Sequence, residues 1–205
     1  MSPKAPLGTG FQSSGQYSEL VLASTSAARQ ELLGRLGLPF RTEAPKVDEQ
    51  FEAGTPVMQA VAILAERKAQ AVWRRAPQAL VIGSDQLVEL EGRPLGKPTD
   101  ATAARAMLKS LSGREHEILT GVCVVGPGYL STEVDVSRLT LWPLSEKELD
   151  GYVASEEWKG CAGGYRVESR GQALFKDIQG DRTGIQGLPM TLLVRLLREA
   201  GVAFF

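Results

Sequence analysis

The sequence predicts an α/β fold with a mixed sheet, and three patterns carry that reading. A short apolar run, Leu20 to Ala23, opens into the polar cluster Ser24, Thr25, Ser26 and then into leucines at helical spacing. A long amphipathic stretch from Thr55 to Arg75 leads to a second apolar run, Ala79 to Leu90, repeating the alternation of strand and helix. Two further strand-like runs, Ile118 to Val125 and Ser131 to Trp142, flank Gly126, Pro127 and Gly128 as the arms of a hairpin do. Parallel and antiparallel pairing should therefore share one sheet.

The elements follow in order. Residues 1–17 are rich in Gly, Ser, Pro and Gln, too polar to offset the entropy of ordering, and are expected to form a flexible extension before a folded domain over 18–205. Leu20 to Ala23 reads as a buried strand. Ser26 suits the N-cap of a helix carrying Leu32, Leu33 and Leu36, and Gly37 stands where a left-handed residue closes such a helix. Thr55 as cap and Pro56 at the first helical position start a long helix on Val57, Val61, Leu64 and Val72. The polar triplet Ser84, Asp85, Gln86 interrupts the strand from Ala79 to Leu90, which marks it as a site candidate. Gly92, Arg93 and Pro94 form a turn, and Asp100 caps a helix through Leu111. After the hairpin, Ser145 and Glu148 make a capping box for a helix to about Ala154, and a last helix runs from near Pro189 to Glu199.

The 205 residues are 43% hydrophobic and 23% charged, a globular composition that excludes a disordered, collagenous or coiled-coil chain. Lys and Arg total 23 against 24 Asp and Glu, a formal net charge of −1. No bulk positive field is available to hold a nucleic-acid polymer, so any phosphate binding must be local. No apolar run approaches the length of a membrane span and no secretory signal is recognisable, so the expected compartment is the cytoplasm, without membrane association. Cys123 and Cys161 lack metal-ligand spacing and are expected as reduced thiols.

Several chemistries are excluded by spacing. His116, the only histidine, lies in GREHEIL with no GxSxG elbow to match it, and reads as a partly exposed strand residue. GRPLGK, Gly92 to Lys97, has three residues between its glycines and Pro98 after its lysine, where a P-loop needs four and then Ser or Thr. No GxGxxG follows a strand. What remains is a distributed set of charges at strand ends, where open α/β sheets bind ligands. The loop Ser24, Thr25, Ser26 with Arg29 in the next helical turn suits a phosphate, although Ser or Thr before a helix also serves simply as a cap. Asp48 and Glu49 offer oxygens to Mg²⁺ or Mn²⁺, or are a surface acidic pair. Asp85, leaving a buried run, needs a metal, a cation or a water to serve. Lys68, on a helix, and Lys97, in a Gly-Lys-Pro turn, could balance the charge of a triphosphate.

Those same residues bring a resemblance. LVLASTSAARQELLGRLGLPF, the VDE at Val47 to Glu49, the ERKA around Lys68, the IGSDQ around Asp85 and the LGKP around Lys97 resemble the Maf family of nucleotide pyrophosphatases in order and spacing. CAGGYRVESRG from Cys161 and the GLP at Gly187 to Pro189 extend the match to about Gly201. The resemblance implies an elongated, two-lobed mixed-sheet fold shared with inosine-triphosphatase-like enzymes. It implies a homodimer that hydrolyses a nucleoside triphosphate between the α- and β-phosphates with Mg²⁺ or Mn²⁺. Carried over by position, Asp85 is the proton acceptor for water and a metal ligand with Glu49, and Ser24, Ser26, Arg29, Lys68 and Lys97 bind the phosphates.

Gln86 and Glu168 resemble the branch of the family acting on 7-methyl-GTP, whereas the dTTP/UTP branch has Thr and Gln there. A carboxylate at Glu168 can accept from guanine N1–H and its exocyclic amine and offset the charge of a 7-methylated base. Ala28 departs from the pattern, since that branch carries a bulky aromatic there. The expected function is 7-methyl-GTP hydrolysis with a looser base pocket; the alternatives are the dTTP/UTP branch or a non-catalytic nucleotide-binding regulator of cell division.

Overall fold

The computed structural model describes residues 16–205. Seven strands form one mixed sheet: β1 (Leu20–Leu22), β2 (Arg41–Thr42), β3 (Leu80–Leu90), β4 (Arg93–Leu95), β5 (Glu115–Gly126), β6 (Tyr129–Leu141) and β7 (Phe175–Gln179). Their order is β2-β1-β3-β5-β6-β7, with β4 also paired to β3. β1 runs parallel to β2 and β3, and every other pairing is antiparallel. The parallel pairs need crossovers, which α1 (Ala27–Gly34) and α2 (Val57–Trp73) provide. The remaining helices are α3 (Ala101–Leu111), α4 (Glu146–Ala154), α5 (Arg182–Ile185) and α6 (Met190–Glu199).

β3, β5 and β6 have 11, 12 and 13 residues, long enough at about 3.3 Å per residue to carry two cores end to end. At one end Leu22, Leu80, Ile82 and Val124 pack with Leu32 and Leu33 of α1 and Leu193 and Leu197 of α6. At the other, Val88, Ile118, Leu139 and Leu141 pack with Leu108 and Leu111 of α3 and Leu149 of α4. These are the two lobes. On the opposite face α2 lies over the sheet, with Ala65, Ala69 and Val72 against Val21, Val81 and Cys123.

Two glycines set how closely α2 approaches. A Cβ on Gly83 would stand 2.3 Å from the Ala65 carbonyl oxygen, and one on Gly121 would stand 2.6 Å from that of Val61. Helix backbone therefore rests directly on strand backbone. Gly83 and Asp85 point to the same face, two residues apart on β3, so this contact brings α2 side chains within reach of Asp85.

Local chemistry explains most boundaries. Ser26 accepts from the Arg29 N–H, Asp100 from the Ala103 N–H, and Ser145 and Glu148 form the reciprocal capping box. Gly37 adopts the expected left-handed conformation, with φ 68°. Four expectations need correction. Thr55 does not cap α2: its hydroxyl donates to the Glu52 carbonyl at 2.7 Å, and Pro56 occupies the cap position with no side-chain bond. The turn expected at Gly92 to Pro94 is confined to Glu91 and Gly92, and Arg93 and Pro94 already belong to β4. His116 is buried at 2% exposure, because Tyr165 and Phe175 close over it. Of the anticipated flexible extension over 1–17, residues 1–15 lie outside the described residues, Gln16 is exposed, and Tyr17 is buried in the first core beside Leu20.

Candidate active site

The site forms where the edge of β3 is open. β1 accompanies β3 only as far as the pair Leu22↔Ile82, and β4 joins it only from Val88↔Leu95. Between them, Gly83 to Leu87 has no strand on that side. The chain leaving β1 carries Ser24, Ser26 and Arg29 to this gap, and the chain leaving β4 carries Lys97. Such a divergence of strand neighbours is the usual ligand crevice of an α/β sheet.

Lys68 is the centre of the cluster. The residue is 6% exposed, and its ammonium bonds Asp85 Oδ1 at 2.5 Å and pairs with Glu49 Oε1 at 2.7 Å. Asp85 is itself only 8% exposed, so this partner compensates a carboxylate largely removed from water. The Lys68 ammonium bonded to Glu49 holds that carboxyl below the usual range against the opposing effect of partial burial, and Lys97 and Arg29 lower it further. Burial weakens the hold of the Arg29 guanidinium on its proton, while Asp85 and Glu49 oppose that shift. Arg29, Glu49, Lys68, Asp85 and Lys97 thus act on one another, with three cations for two carboxylates.

Arg29 is anchored by Nε, which donates to the Gly187 carbonyl at 2.9 Å, and Ser84 Oγ donates to the same carbonyl at 3.0 Å. Ser24 Oγ accepts from the Ser26 N–H at 3.1 Å, and Ser26 Oγ from the Arg29 N–H at 3.4 Å. The serines therefore shape the helix entry that presents Arg29, which is the capping reading of this loop. Ser84 and Gly187 are contributors that residue types did not single out; the polar triplet and the GLP stretch were their only signals.

Gln86 stands on the opposite face of β3 from Asp85. Its Nε2 lies within hydrogen-bond distance of the Gly184 carbonyl at 2.8 Å, the Ile185 carbonyl at 3.0 Å and Thr120 Oγ1 at 3.0 Å. Its amide thus fastens α5 to the sheet. Glu168 pairs with Arg166 at 3.7 Å and has a 42% exposed side chain, and it makes no ion pair with the Lys68 cluster. Its segment does approach: the Gly163 N–H donates to the Gly96 carbonyl, beside Lys97, at 3.2 Å. Ala28 lies beside Arg29 in the first turn of α1.

Among the described residues no group of three or more His, Cys, Asp or Glu side chains could hold a metal. Glu49 and Asp85 are nonetheless two hard oxygen donors converging on a single ammonium. That set fits Mg²⁺ or Mn²⁺, since Mg²⁺ characteristically takes one or two carboxylates and completes its shell with phosphate and water. Both cysteines are free, and burial pushes the Cys123 thiol up to about 12, so it is inert. No helix among the described residues is long and apolar enough to cross a membrane.

Fold and cluster together define an α/β protein with a crevice lined by three cations and two carboxylates at the open edge of its sheet. The chain belongs to the Maf-like protein family, which matches residues 19–200. A 7-methyl-GTP pyrophosphatase of Xanthomonas campestris pv. campestris (strain 8004) is 44% identical over 184 residues, 89% of this chain and 96% of that protein. A dTTP/UTP pyrophosphatase of Bacillus velezensis is 38% identical over 183 residues, 89% of this chain and 97% of that protein. The structure of the Staphylococcus aureus Ham1 protein shares the fold, with a TM-score of 0.50 at 20% identity, covering 89% of this chain and all of that one.

Proposed function

We propose that the protein is a nucleoside triphosphate pyrophosphatase that cleaves between the α- and β-phosphates, releasing a nucleoside monophosphate and pyrophosphate, with 7-methyl-GTP as its preferred substrate. The observation that carries the activity is the buried Lys68 ammonium shared by Asp85 and Glu49, with Arg29 close enough to act on both carboxylates and Lys97 on Glu49. A binding module has no need of a carboxylate buried among phosphate-seeking cations.

In this reading Arg29 and Lys97 take the phosphate oxygens, with Ser24 and Ser26 holding the loop that presents Arg29. Asp85 accepts a proton from the water that attacks the α-phosphorus, and Lys68 compensates the carboxylate before the transfer. The cations stabilise the charge that develops on the departing pyrophosphate. Asp85 and Glu49 would hold the divalent cation, Mg²⁺ or Mn²⁺, which polarises the phosphoryl oxygens when bound. The preference for 7-methyl-GTP is supported by the 44% identical relative and by Glu168, whose carboxylate suits a cationic guanine. The reading also takes the cytoplasm as the compartment and a homodimer as the assembly.

Pyrophosphate release from 7-methyl-GTP, GTP, dTTP, UTP and CTP, with and without each metal and with Asp85→Asn as blank, tests the proposal. Metal-dependent turnover concentrated on 7-methyl-GTP is expected. Turnover concentrated on dTTP and UTP moves the chain to the branch of its 38% identical relative. No turnover on any nucleotide overturns the enzymatic reading in favour of a nucleotide-binding regulator.

A further inference from the structure

Glu49 reaches the site on an unusual support. The connection from β2 to α2, residues 43–56, contains no helix or strand, and Asp48, Glu49 and Gln50 are all exposed, so burial does not hold them. Beside it, a groove of about 360 Å³ runs along the outer side of α2, with Val47, Ile63, Arg67 and Arg74 among its walls. Polar contacts from the α2 side fix the connection instead. Arg75 bonds Glu43 at 2.6 Å and the Ala44 carbonyl at 3.0 Å, and Lys68 takes the Glu49 carboxylate. Arg67 Nη1 donates to the Asp48 carbonyl at 2.6 Å and to the Gln50 carbonyl at 2.8 Å. The first belongs to the peptide that precedes Glu49, the second to the peptide joining Gln50 to Phe51.

We infer that Arg67 is the positioning residue for Glu49, fixing the backbone from which that carboxylate enters the site. The inference rests on the role given to Glu49 under the proposed function. A peptide is planar, so Arg67 on the Asp48 carbonyl fixes the peptide that precedes Glu49, its second bond closes the far end of the turn at Gln50, and with the peptide after Glu49 also held the direction of the Glu49 Cα–Cβ bond is set. The pair with Lys68 restrains only the far end of a 64% exposed side chain. The peptide that follows Glu49 is held by Asp48, whose Oδ1 accepts from the Gln50 N–H at 2.9 Å. Neighbouring positions of α2 thus divide the work, Lys68 taking the carboxylate and Arg67 the main chain.

Amide hydrogen exchange over residues 47–51 in nucleotide-free protein, joined to a double-mutant cycle, tests this. Arg67→Met should speed exchange at 47–51 by about tenfold, on the order expected for losing charge-assisted hydrogen bonds, with the thermal midpoint nearly unmoved. Arg74→Met, which removes a charge at the C-terminal end of the same helix, should not. On the nucleotide best hydrolysed by the native protein, Arg67→Met should lower kcat/KM about tenfold but change it less than about twofold in a Glu49→Gln background, because it acts through Glu49. Arg67→Lys, which retains donors, should restore most of the loss. Unchanged exchange at 47–51, or an equal fall in both backgrounds, overturns the inference. If no nucleotide is hydrolysed at all, the proposed function fails, while exchange still decides whether Arg67 holds this segment.

Discussion

Two buried polar pairs are each anchored by one residue on a long strand of this sheet, Asp85 on β3 and His116 on β5, and they behave in opposite ways. Lys68 and Asp85, 6% and 8% exposed, form a charged pair at the open edge of β3, with Arg29, Lys97 and Glu49 around them. His116 and Tyr165, 2% and 4% exposed, lie in the other lobe, His116 Nε2 being 2.6 Å from the phenol oxygen and Phe175 packing edge-on to Tyr165. Burial pushes the His116 imidazole down to about 4 and the Tyr165 phenol well above its ordinary value, so both are neutral at pH 7. A buried group that gives up its charge serves the framework. One that keeps it needs countercharges, and where these face an opening they can also serve a ligand.

The sharpest way to break this contrast is Asp85→Asn. Loss of the proton acceptor should lower turnover on the order of 10²–10⁴-fold, while circular dichroism and nucleotide binding stay close to native. Near-normal turnover would return Asp85 to the same structural class as His116. Lys68→Met comes next. It strips Asp85 of its bonded ammonium, and breaking a buried pair this way should destabilise the fold by about 3–5 kcal/mol in chemical denaturation. Adding Asp85→Asn to it should recover part of that loss, and no recovery would mean that Lys68 stabilises mainly through the packing of its stem.

For His116 the prediction concerns pH. Its folded pKa, about 4, lies below the ordinary 6.5, so between those values the unfolded chain binds more protons. The stability it contributes is complete above about pH 6.5 and declines as the pH falls towards 4, by at most about 3 kcal/mol. His116→Gln keeps a partner for Tyr165 but does not titrate. Denaturation at pH 7 and pH 4.5 should show the variant losing less stability than the native protein, and identical losses would mean that the imidazole is not held neutral.

These two regions also differ in how far the sequence discloses them. Asp85 stood out because a carboxylate inside an apolar run is costly, and capping chemistry at Ser26, Asp100 and Ser145 marks helix starts that the structure reproduces. That Lys68 faces Asp85 depends on helix backbone resting on Gly83, a tertiary contact without a local signal. The burial of His116 is of the same kind, since Tyr165 and Phe175 reach it from about 50 or more residues away. β2, of two residues, and β7, whose sequence FKDIQ is largely exposed, lack the apolar periodicity that announces a strand. Gln86 was legible as an anomaly, but not as the fastener of α5, because its acceptors, the Gly184 and Ile185 carbonyls, are backbone.

The smallest effect tests where recognition lies between the two lobes. Glu168 belongs to the lobe of His116, yet its segment is tied to the turn carrying Lys97 through the Gly163–Gly96 bond. Its ion pair with Arg166, at 3.7 Å between two half-exposed side chains, is too loose and too solvated to support the fold. Glu168→Gln should therefore leave the unfolding midpoint unmoved. If the carboxylate faces the base, the substitution removes a charge-assisted hydrogen bond and the charge that favours a 7-methylated guanine, so kcat/KM for 7-methyl-GTP should fall about tenfold while that for UTP stays within about twofold. An equal fall on both nucleotides would tie Glu168 to the phosphates or to the Lys97 turn. No change on either would confine recognition to the lobe that carries Arg29, leaving the open position at Ala28 as the place to search for it.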